Sequence, residues 1–400
     1  MTLGDHPVLL VFSVAVVAPL LAELPVVKRV PIVVMEVLLG IVVGPHALGL
    51  MGPNAFVSTM SSIGTAALLF MAGMEIDFEA IRGRPLNLAL GGWTLSVAVA
   101  LLAVAGLHVI PEVQAPLMVT IALTTTGLGT LLPILRDGGR LDTPFGRTLL
   151  AAGTVGEVGP IVAVALALST RYSAWQEFAF LLAFLGLVVA AAAVGVSARH
   201  PRLLSILGRT MHASSQLPVR LALLMLAALF ALSAELGLEG VLGAFAAGMV
   251  VGLVTRGERG ELFRVKIEAV CFGWLTPFFF VGTGIAFDLA ALTRDAATVL
   301  LIPAFLILFL LTRGIAALLY RKDIPRPQLL PFALCSSVAS LGLTVVITRI
   351  GSQAYHMNPD IAQALIAATL LSTLVNPTLA AVLLSMASAP AARTASRGSP

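Results

Sequence analysis

The chain has 400 residues, and its composition places it in a lipid bilayer rather than in water. Hydrophobic residues make up 58% of the sequence and charged residues 11%, and the mean hydropathy is +1.02. A soluble globular protein carries about a quarter charged residues, so this chain has too little charge to cover a surface in water. The net charge of +4 comes from scattered residues and does not predict nucleic-acid binding. Cys271 and Cys335 stand in separate apolar runs, which predicts neither a disulfide framework nor a zinc site.

Apolar stretches of about 20 residues predict transmembrane helices, because that length crosses the hydrocarbon core of a bilayer. The sequence contains thirteen such segments, and the expected fold class is an all-α polytopic membrane protein. Their approximate spans are 7–24, 31–50, 56–76, 86–110, 116–135, 146–170, 176–198, 217–238, 239–255, 268–290, 296–320, 328–350 and 362–386. The first segment is expected to be a helix and not a signal peptide, since its basic residues, Lys28 and Arg29, follow it.

The basic residues between the segments predict the orientation of the chain. With the N-terminus outside, twenty Lys and Arg residues fall in loops that face the cytoplasm, and three fall in outer loops. This segregation follows the positive-inside rule. The sequence therefore predicts a multi-pass protein of the cell membrane with its N-terminus outside and its C-terminus in the cytoplasm.

The sequence also repeats at an offset of about 210 residues. Gly40 and Gly44 in segment two recur as Gly248 and Gly252 in segment nine. The run 123–126 corresponds to 334–337, so that Thr126 matches a serine. Segments 1–6 and 8–13 are the expected repeats, with segment seven as a linker. Corresponding helices then cross the membrane in opposite directions, and such an inverted repeat is typical of secondary transporters.

Segments five and twelve read as broken helices. Segment five carries Thr124, Thr125 and Thr126 before Gly127, and segment twelve carries Ser336 and Ser337. Hydroxyls and glycines at mid-segment weaken a helix, and unwound backbone at membrane depth is tolerated only where it is buried in protein or lines a cavity. The alternative is packing of small residues between helices.

Glu157 is the candidate residue for ion and proton binding. It lies in segment six between Gly156 and Val158, and a carboxyl at this depth is costly when it is ionised and unpaired. Thr154 lies one turn earlier on the same face, where its hydroxyl is a candidate ligand together with those of Thr125 and Thr126. The alternative is a structural carboxyl paired with a neighbouring helix.

Two further charged residues stand inside segments. Arg313 in segment eleven is expected to tune the charge of the site, and the alternative is that it extends to the cytoplasmic side. Glu36 in segment two is expected to line an entry path or to lie at a subunit interface, and the sequence does not separate these hypotheses.

At this point the sequence resembles the monovalent cation:proton antiporter-2 family of the sodium/proton exchanger superfamily. The resemblance covers essentially the whole chain, and its carriers are the runs 31–45, 68–77 and 277–284. It implies thirteen helices with two crossed broken helices. Family members place an amide–Asp pair in the sixth helix, where this sequence has Gly156 and Glu157, so only the carboxylate carries over. Arg313 matches a Lys or Arg that many members hold in the eleventh helix.

The resemblance also implies a division into a dimerisation domain and a mobile core domain. The scaffold or dimerisation domain is expected at 1–85 and 217–295, and the core at 86–175 and 296–386. A linker helix is expected at 176–216 and a disordered cytoplasmic tail at 387–400. A homodimer is expected through the scaffold, where the glycines of segments two and nine either join subunits or pack within one.

The leading hypothesis is a secondary transporter that exchanges Na⁺ or K⁺ for protons by elevator-like alternating access. The partners are the cation, protons and the lipid bilayer. An enzymatic activity and a cofactor are not expected. An uncoupled cation channel and an organic-anion symporter on a similar fold are the alternatives.

Overall fold

In the computed structural model, the regular structure of the described residues is helical. The structure describes residues 6–24, 31–52, 54–75, 83–107, 115–128, 143–167, 213–236, 240–255, 258–288 and 296–395, with isolated residues between 131 and 141 and between 183 and 211. Segment seven falls mostly outside the described residues.

Fourteen α-helices have defined bounds within the described part of the chain. The first seven are α1 (Pro7–Ala22), α2 (Ile32–Val43), α3 (Ala55–Glu75), α4 (Arg84–Leu107), α5 (Pro116–Leu123), α6 (Pro144–Ala167) and α7 (Leu217–Glu235). The others are α8 (Gly240–Val254), α9 (Glu258–Val270), α10 (Thr276–Ile285), α11 (Ala296–Ala316), α12 (Arg326–Ser336), α13 (Leu341–Ala354) and α14 (Pro359–Ala395). A π-helical turn, Cys271–Leu275, joins α9 to α10, and a 3₁₀ turn, Ala317–Tyr320, follows α11.

These helices are long and apolar enough to make the chain a multi-pass membrane protein. Among the described residues, seven helices reach the length and hydropathy of a membrane span, or eight if the bent pair α12 and α13 is one span. Three shorter apolar helices, α1, α2 and α8, add to them. The thirteen segments stay a prediction.

The helix of the tenth predicted segment begins earlier in the structure than the sequence predicts. The apolar pattern predicts a start at residue 268, whereas one continuous span runs over Gly260–Ile285. Arg264 and Lys266 therefore lie on α9 and not in a loop. Their side chains donate to oxygens nearby, from Arg264 Nη2 to the Met74 carbonyl (3.1 Å) and from Lys266 Nζ to Gln216 Oε1 (2.9 Å). Long basic side chains can reach polar partners from within a helix, so charge alone does not mark its end.

The chain divides into two compact units. Unit 1 consists of Met1–Leu20, Met35–Ile76 and Ile161–Phe287. Unit 2 consists of Leu21–Val34, Asp77–Pro160 and Asp288–Pro400. The functional assignment of scaffold and core stays a prediction.

Unit 1 contains two close glycine contacts between helices. A Cβ atom added at Gly40 of α2 would lie 3.0 Å from the Cα of Gly284 in α10. One added at Gly73 of α3 would lie 3.1 Å from the Cα of Gly248 in α8. Such a close approach of two backbones requires that at least one of the facing residues lacks a side chain.

The remaining two glycines of the repeated motif also pack within the chain. A Cβ at Gly44 would lie 3.3 Å from the Cα of Ile285, and one at Gly252 would lie 3.0 Å from the Cα of Met74. Of the two roles that the sequence left open for these glycines, the structure shows contacts inside one subunit.

Unit 2 has its core where α11, α12 and α14 meet. Tyr320 is buried there, and its hydroxyl donates to the Leu88 carbonyl of α4 (3.1 Å). The centroid of its ring lies 4.7 Å from the ring centroid of Phe332. The Phe332 ring centroid lies 5.9 Å from that of Phe145. These aromatic contacts hold the helices that carry the polar residues described next.

The last helix, α14, extends to Ala395, past residue 387, where the sequence predicts a disordered tail. Alanine has the highest helix propensity, and the alanines of this stretch favour continuation of the helix.

Candidate functional site

The threonine run ends α5 inside unit 2. The Thr124 and Thr125 hydroxyls donate to the carbonyls of Ile121 (2.8 Å) and Ala122 (2.9 Å), three residues back. Such local bonds compete with the helical pattern and favour its termination. The backbone then runs without helical structure through residues 125–127, which are all buried. The interruption predicted in segment five is present in the described residues.

Segment twelve is interrupted in the same way. Ser336 and Ser337 end α12, and their hydroxyls donate to the carbonyls of Ala333 (3.0 Å) and Leu334 (2.9 Å). A new helix, α13, begins at Leu341 at an angle of 44° to α12. Hydroxyls at the end of a helix therefore make both interruptions.

The two interruptions contact each other. The Gly127 N–H donates to the Val338 carbonyl (2.8 Å), and the Thr126 hydroxyl donates to the Ser336 carbonyl (2.8 Å). A Cβ at Gly127 would lie 3.1 Å from the Ala339 carbonyl oxygen, so glycine suits this close approach. Backbone groups that the helices leave free are thus paired across the two breaks, as buried groups require.

Pro160 explains how α6 joins this contact. A proline has no N–H, so the Gly156 carbonyl, four residues earlier, lacks its usual helical donor. That carbonyl instead accepts a hydrogen bond from the Thr126 N–H (2.9 Å). The break of segment five is therefore fixed directly beside Glu157.

Arg313 is buried among these elements, with 3% of its surface exposed. Its Nε donates to the Thr126 hydroxyl (2.8 Å), its Nη1 to the Ser96 hydroxyl of α4 (3.3 Å) and its Nη2 to the Ala152 carbonyl of α6 (3.0 Å). The alternative in which it extends to the membrane surface is wrong, because its guanidinium has partners on three sides within unit 2. A planar guanidinium with five donors suits such a position.

The glycine at position 156 makes room for this guanidinium. A Cβ there would lie 2.6 Å from Arg313 Nη2 and 2.6 Å from Thr126 Oγ1. Any larger residue at this position would displace the arginine or the threonine. The guanidinium of Arg313 thus occupies space that a side chain at position 156 would need.

Glu157 and Thr154 lie on the same helix and are buried, with 8% and 5% of their surfaces exposed. Among the described residues, the buried charged side chains are Glu36, Glu157 and Arg313. Glu157 and Arg313 belong to unit 2, whereas Glu36 belongs to unit 1. Of the predicted ligands, Thr126 contacts α6 through the Gly156 carbonyl, and Thr125 contacts the start of α13 through the Ser340 N–H.

Three polar residues of this region were not predicted from the sequence. Ser96 holds the guanidinium, and Thr312 donates to the Leu123 carbonyl at the end of α5 (2.9 Å). Asn376 of α14 donates to the Ser337 hydroxyl (3.1 Å). A signal existed for the asparagine, because an amide in an apolar segment is uncommon and needs a partner.

Known proteins share both the sequence pattern and the fold. The model of the transmembrane sodium/hydrogen exchanger family matches residues 12–386. The chain therefore belongs to the sodium/hydrogen exchanger family, whose members are transporters and not enzymes.

Several relatives and one solved structure are similar to this chain. The Na⁺/H⁺ antiporter of Enterococcus hirae is 26% identical over 87% of this chain and 90% of its own length. The Na⁺/H⁺-K⁺ antiporter GerN of Bacillus cereus is 28% identical over 64% of this chain and 66% of its own length. YjbQ of Bacillus subtilis is 25% identical over 87% of this chain, which spans only 58% of that relative. The sodium proton antiporter MjNhaP1 of Methanocaldococcus jannaschii has a TM-score of 0.65 at 17% identity, covering 93% of this chain and 96% of its own, and it shares the fold.

Proposed function

We propose that this protein exchanges a monovalent cation, Na⁺ or K⁺, for protons across a membrane. The observation that carries the proposal is the position of Glu157, a buried carboxyl on α6. The residue before it, Gly156, contacts both the break after α5 and the guanidinium of Arg313. The family and the names of its relatives support an antiporter. One relative is named for Na⁺ alone and another for Na⁺ and K⁺, so we leave the cation open.

Glu157 is the group that we assign to the exchange. A single carboxyl that binds either a proton or a cation couples the two flows, because each ligand excludes the other. Thr154, one turn earlier, supplies a hydroxyl oxygen on the same side of α6. A cation that leaves water needs such oxygen ligands in place of its hydration shell.

Thr125 and Thr126 contribute as ligands through the lone pairs that remain to them. Each hydroxyl has one proton and two lone pairs. The Thr126 hydroxyl donates to the Ser336 carbonyl, and its oxygen accepts from Arg313 Nε, which leaves one lone pair. The Thr125 hydroxyl donates to the Ala122 carbonyl, and its oxygen accepts from the Ser340 N–H (3.4 Å). Gly127, Ser336 and Ser337 line the breaks, and Arg313 tunes the charge around them.

Alternating access is the proposed mechanism, and the glycine contacts support the inverted repeat that it needs. In the sequence, Gly73 precedes the run 74–77, which ends in an aspartate, as Gly284 precedes the run 285–288, so the repeat relates Gly40 to Gly248 and Gly73 to Gly284. It therefore converts the contact of Gly40 with Gly284 into the contact of Gly248 with Gly73, which is the second close pair in unit 1. Inverted repeats provide two equivalent conformations of one fold. We assign the moving part to unit 2, which contains Glu157.

The membrane, the orientation and the oligomeric state of the protein are also part of the proposal. We place it in the cell membrane with the N-terminus outside, on the distribution of basic residues in the sequence. The homodimer stays a prediction, and it loses the support of the glycines, which pack inside one chain. Glu36 stays a candidate for an entry path.

The proposal is tested in liposomes that contain the purified protein and a pH-sensitive dye. Na⁺, K⁺ and Li⁺ are added in turn to vesicles with an acidic interior. Antiport predicts that one or more of these cations drives protons out and that the rate saturates with cation concentration. Cation flux that needs no opposing proton gradient would indicate the channel, and proton movement driven only by organic anions would indicate the symporter.

A further inference from the structure

A row of buried polar residues on α14 faces the broken helix α12–α13. Thr369, Ser372 and Asn376 recur at intervals of three and four residues, which places them on one helix face. At most 4% of each residue's surface is exposed. None of them has a place in the exchange described above.

Each of these residues bonds across to the broken helix. The Thr369 hydroxyl lies 3.3 Å from that of Thr344 in α13. The Ser372 hydroxyl accepts from the Ala339 N–H (3.1 Å), which lies in the break. The Asn376 Nδ2 lies 3.1 Å from the Ser337 hydroxyl and 3.4 Å from the Ser337 carbonyl. The row therefore satisfies free backbone groups at the break.

Asn376 donates to a hydroxyl at the break between α12 and α13, as Arg313 donates to a hydroxyl at the break after α5. Thr126 and Ser337 correspond in the sequence repeat, and each of these hydroxyls accepts from a long polar side chain of another helix. For Thr126 the donor is Arg313 Nε (2.8 Å), and for Ser337 it is Asn376 Nδ2 (3.1 Å). One donor is charged and the other is neutral.

Because the Asn376 amide is neutral, it adds no positive charge at the breaks. Both breaks follow the C-terminal ends of helices, α5 and α12, where backbone carbonyls carry partial negative charge that attracts cations. Arg313 already offsets part of this charge, with its Nε also 3.4 Å from the Ser336 carbonyl. A second cationic side chain would repel a bound Na⁺ or K⁺, whereas an amide orients the Ser337 carbonyl without adding charge.

We propose that Asn376 is a positioning residue for cation binding, which acts by fixing the carbonyl and hydroxyl of Ser337 at the break between α12 and α13. The proposal rests on the antiport function and extends it to a residue outside the Glu157 cluster. Because Asn376 acts on binding, its loss alters the apparent KM for the cation and leaves the maximal rate in place.

The test compares Asn376→Leu with wild type in the liposome assay, over a range of cation concentrations at one fixed pH. Leucine has the branched shape of asparagine, with two methyl groups in place of the amide oxygen and nitrogen, and although it is bulkier it has no donor. The expected result is an apparent KM raised about five-fold, the effect of one lost hydrogen bond, with a maximal rate within about two-fold of wild type. Thr373→Val is the matched control, because within the described part of the chain the buried Thr373 hydroxyl bonds inside α14 alone, to the Thr369 carbonyl (2.9 Å). This control is expected to keep the KM of wild type.

A second variant shows whether Asn376 acts through Ser337. Ser337→Ala removes the hydroxyl that accepts from the amide and raises the apparent KM in the same direction. Combined with Asn376→Leu, it is expected to add less than its separate effect, because residues in one hydrogen-bond network are not additive. If Asn376→Leu does not fold, Ser337→Ala alone decides, and a KM equal to that of wild type overturns the proposal.

The outcomes separate this proposal from the function on which it rests. Wild-type protein that shows no cation-driven proton movement overturns the antiport function, and the proposal for Asn376 with it. Active wild type together with an unchanged KM in Asn376→Leu overturns only the role of Asn376. So does a fall in maximal rate at unchanged KM, or full additivity of the two substitutions.

Discussion

The Cα of Gly156 faces the guanidinium of Arg313 so closely that a methyl group at position 156 would lie 2.6 Å from Nη2. Glycine at this position therefore lets a cation of α11 reach the carbonyl of Ala152 on α6, five residues before Glu157. The local charge beside the candidate carboxyl depends on this missing side chain.

Gly156→Ala is expected to destabilise the protein and to reduce exchange. The added methyl overlaps Arg313 and Thr126, and overpacking of a buried site typically costs about 1–3 kcal/mol of unfolding free energy. Thermal unfolding in detergent measures the loss. Gly91→Ala is the matched control, because its Cβ would lie 3.7 Å from Leu319, an ordinary contact. Equal melting temperatures of the two variants would contradict the packing described here.

Arg313→Ala is expected to shift the pH profile of exchange and to lower stability without removing all activity. The substitution leaves the Thr126 and Ser96 hydroxyls and the Ala152 carbonyl without their donor, and it removes a charge near Glu157. Loss of this cation changes the charge of the site, so the pH of half-maximal rate is expected to differ from that of wild type. Arg313→Lys keeps the charge but not the fork of donors, and it separates the two effects. A variant with the pH profile and melting temperature of wild type would count against any role for Arg313.

Gly248→Ala is expected to destabilise unit 1. The added Cβ would clash with the Phe70 carbonyl oxygen and lie 3.1 Å from the Cα of Gly73, both of them backbone atoms that cannot rotate away. We expect a loss of about 1–3 kcal/mol in unfolding free energy, measured by thermal or denaturant unfolding in detergent. Gly106→Ala has no atom within 4 Å of the added Cβ and serves as the control. Indistinguishable stabilities would mean that the contact between α3 and α8 is looser than described.

The ion pair at the start of α4 predicts a pH dependence of stability. The Arg84 guanidinium donates to both Asp323 oxygens (2.5 and 3.1 Å) and holds the pKa of that carboxyl below its usual range. A lowered folded-state pKa means that the stabilisation is present at neutral pH and is lost only as the pH falls through that pKa. The melting temperatures of wild type and Asp323→Asn should thus differ by a small, constant amount from pH 8 to 5, since the pair is exposed. The difference should shrink below about pH 4. A difference that changes between pH 8 and 5 would contradict this assignment.

Local chemistry in the sequence was enough to predict the interruptions and the candidate carboxyl. The hydroxyls of Thr124, Thr125, Ser336 and Ser337 bond to the preceding turn, and such bonds depend only on neighbouring residues. Glu157 stands out because ionisable residues are costly in an apolar segment.

The partners of Arg313 and Asn376 could not be predicted in the same way. Arg313 meets Ser96 across 217 positions of sequence, and the apolar pattern does not show which helix faces which. The sequence also could not show whether the repeated glycines pack within one chain or between two chains, because close helix contacts of both kinds require the same residues. The contacts of the folded chain separate these cases.

Substitution of Glu157 by glutamine tests the central claim most directly. Glutamine keeps the size and hydrogen bonding of the side chain but cannot exchange a proton. In liposomes with a pH-sensitive dye, Glu157→Gln is expected to lose cation-driven proton movement while its melting temperature stays near that of wild type. Glu36→Gln, which changes the other buried acid among the described residues, is the control and is expected to retain coupled exchange at a reduced rate. Robust cation-driven proton movement by folded Glu157→Gln would contradict the account.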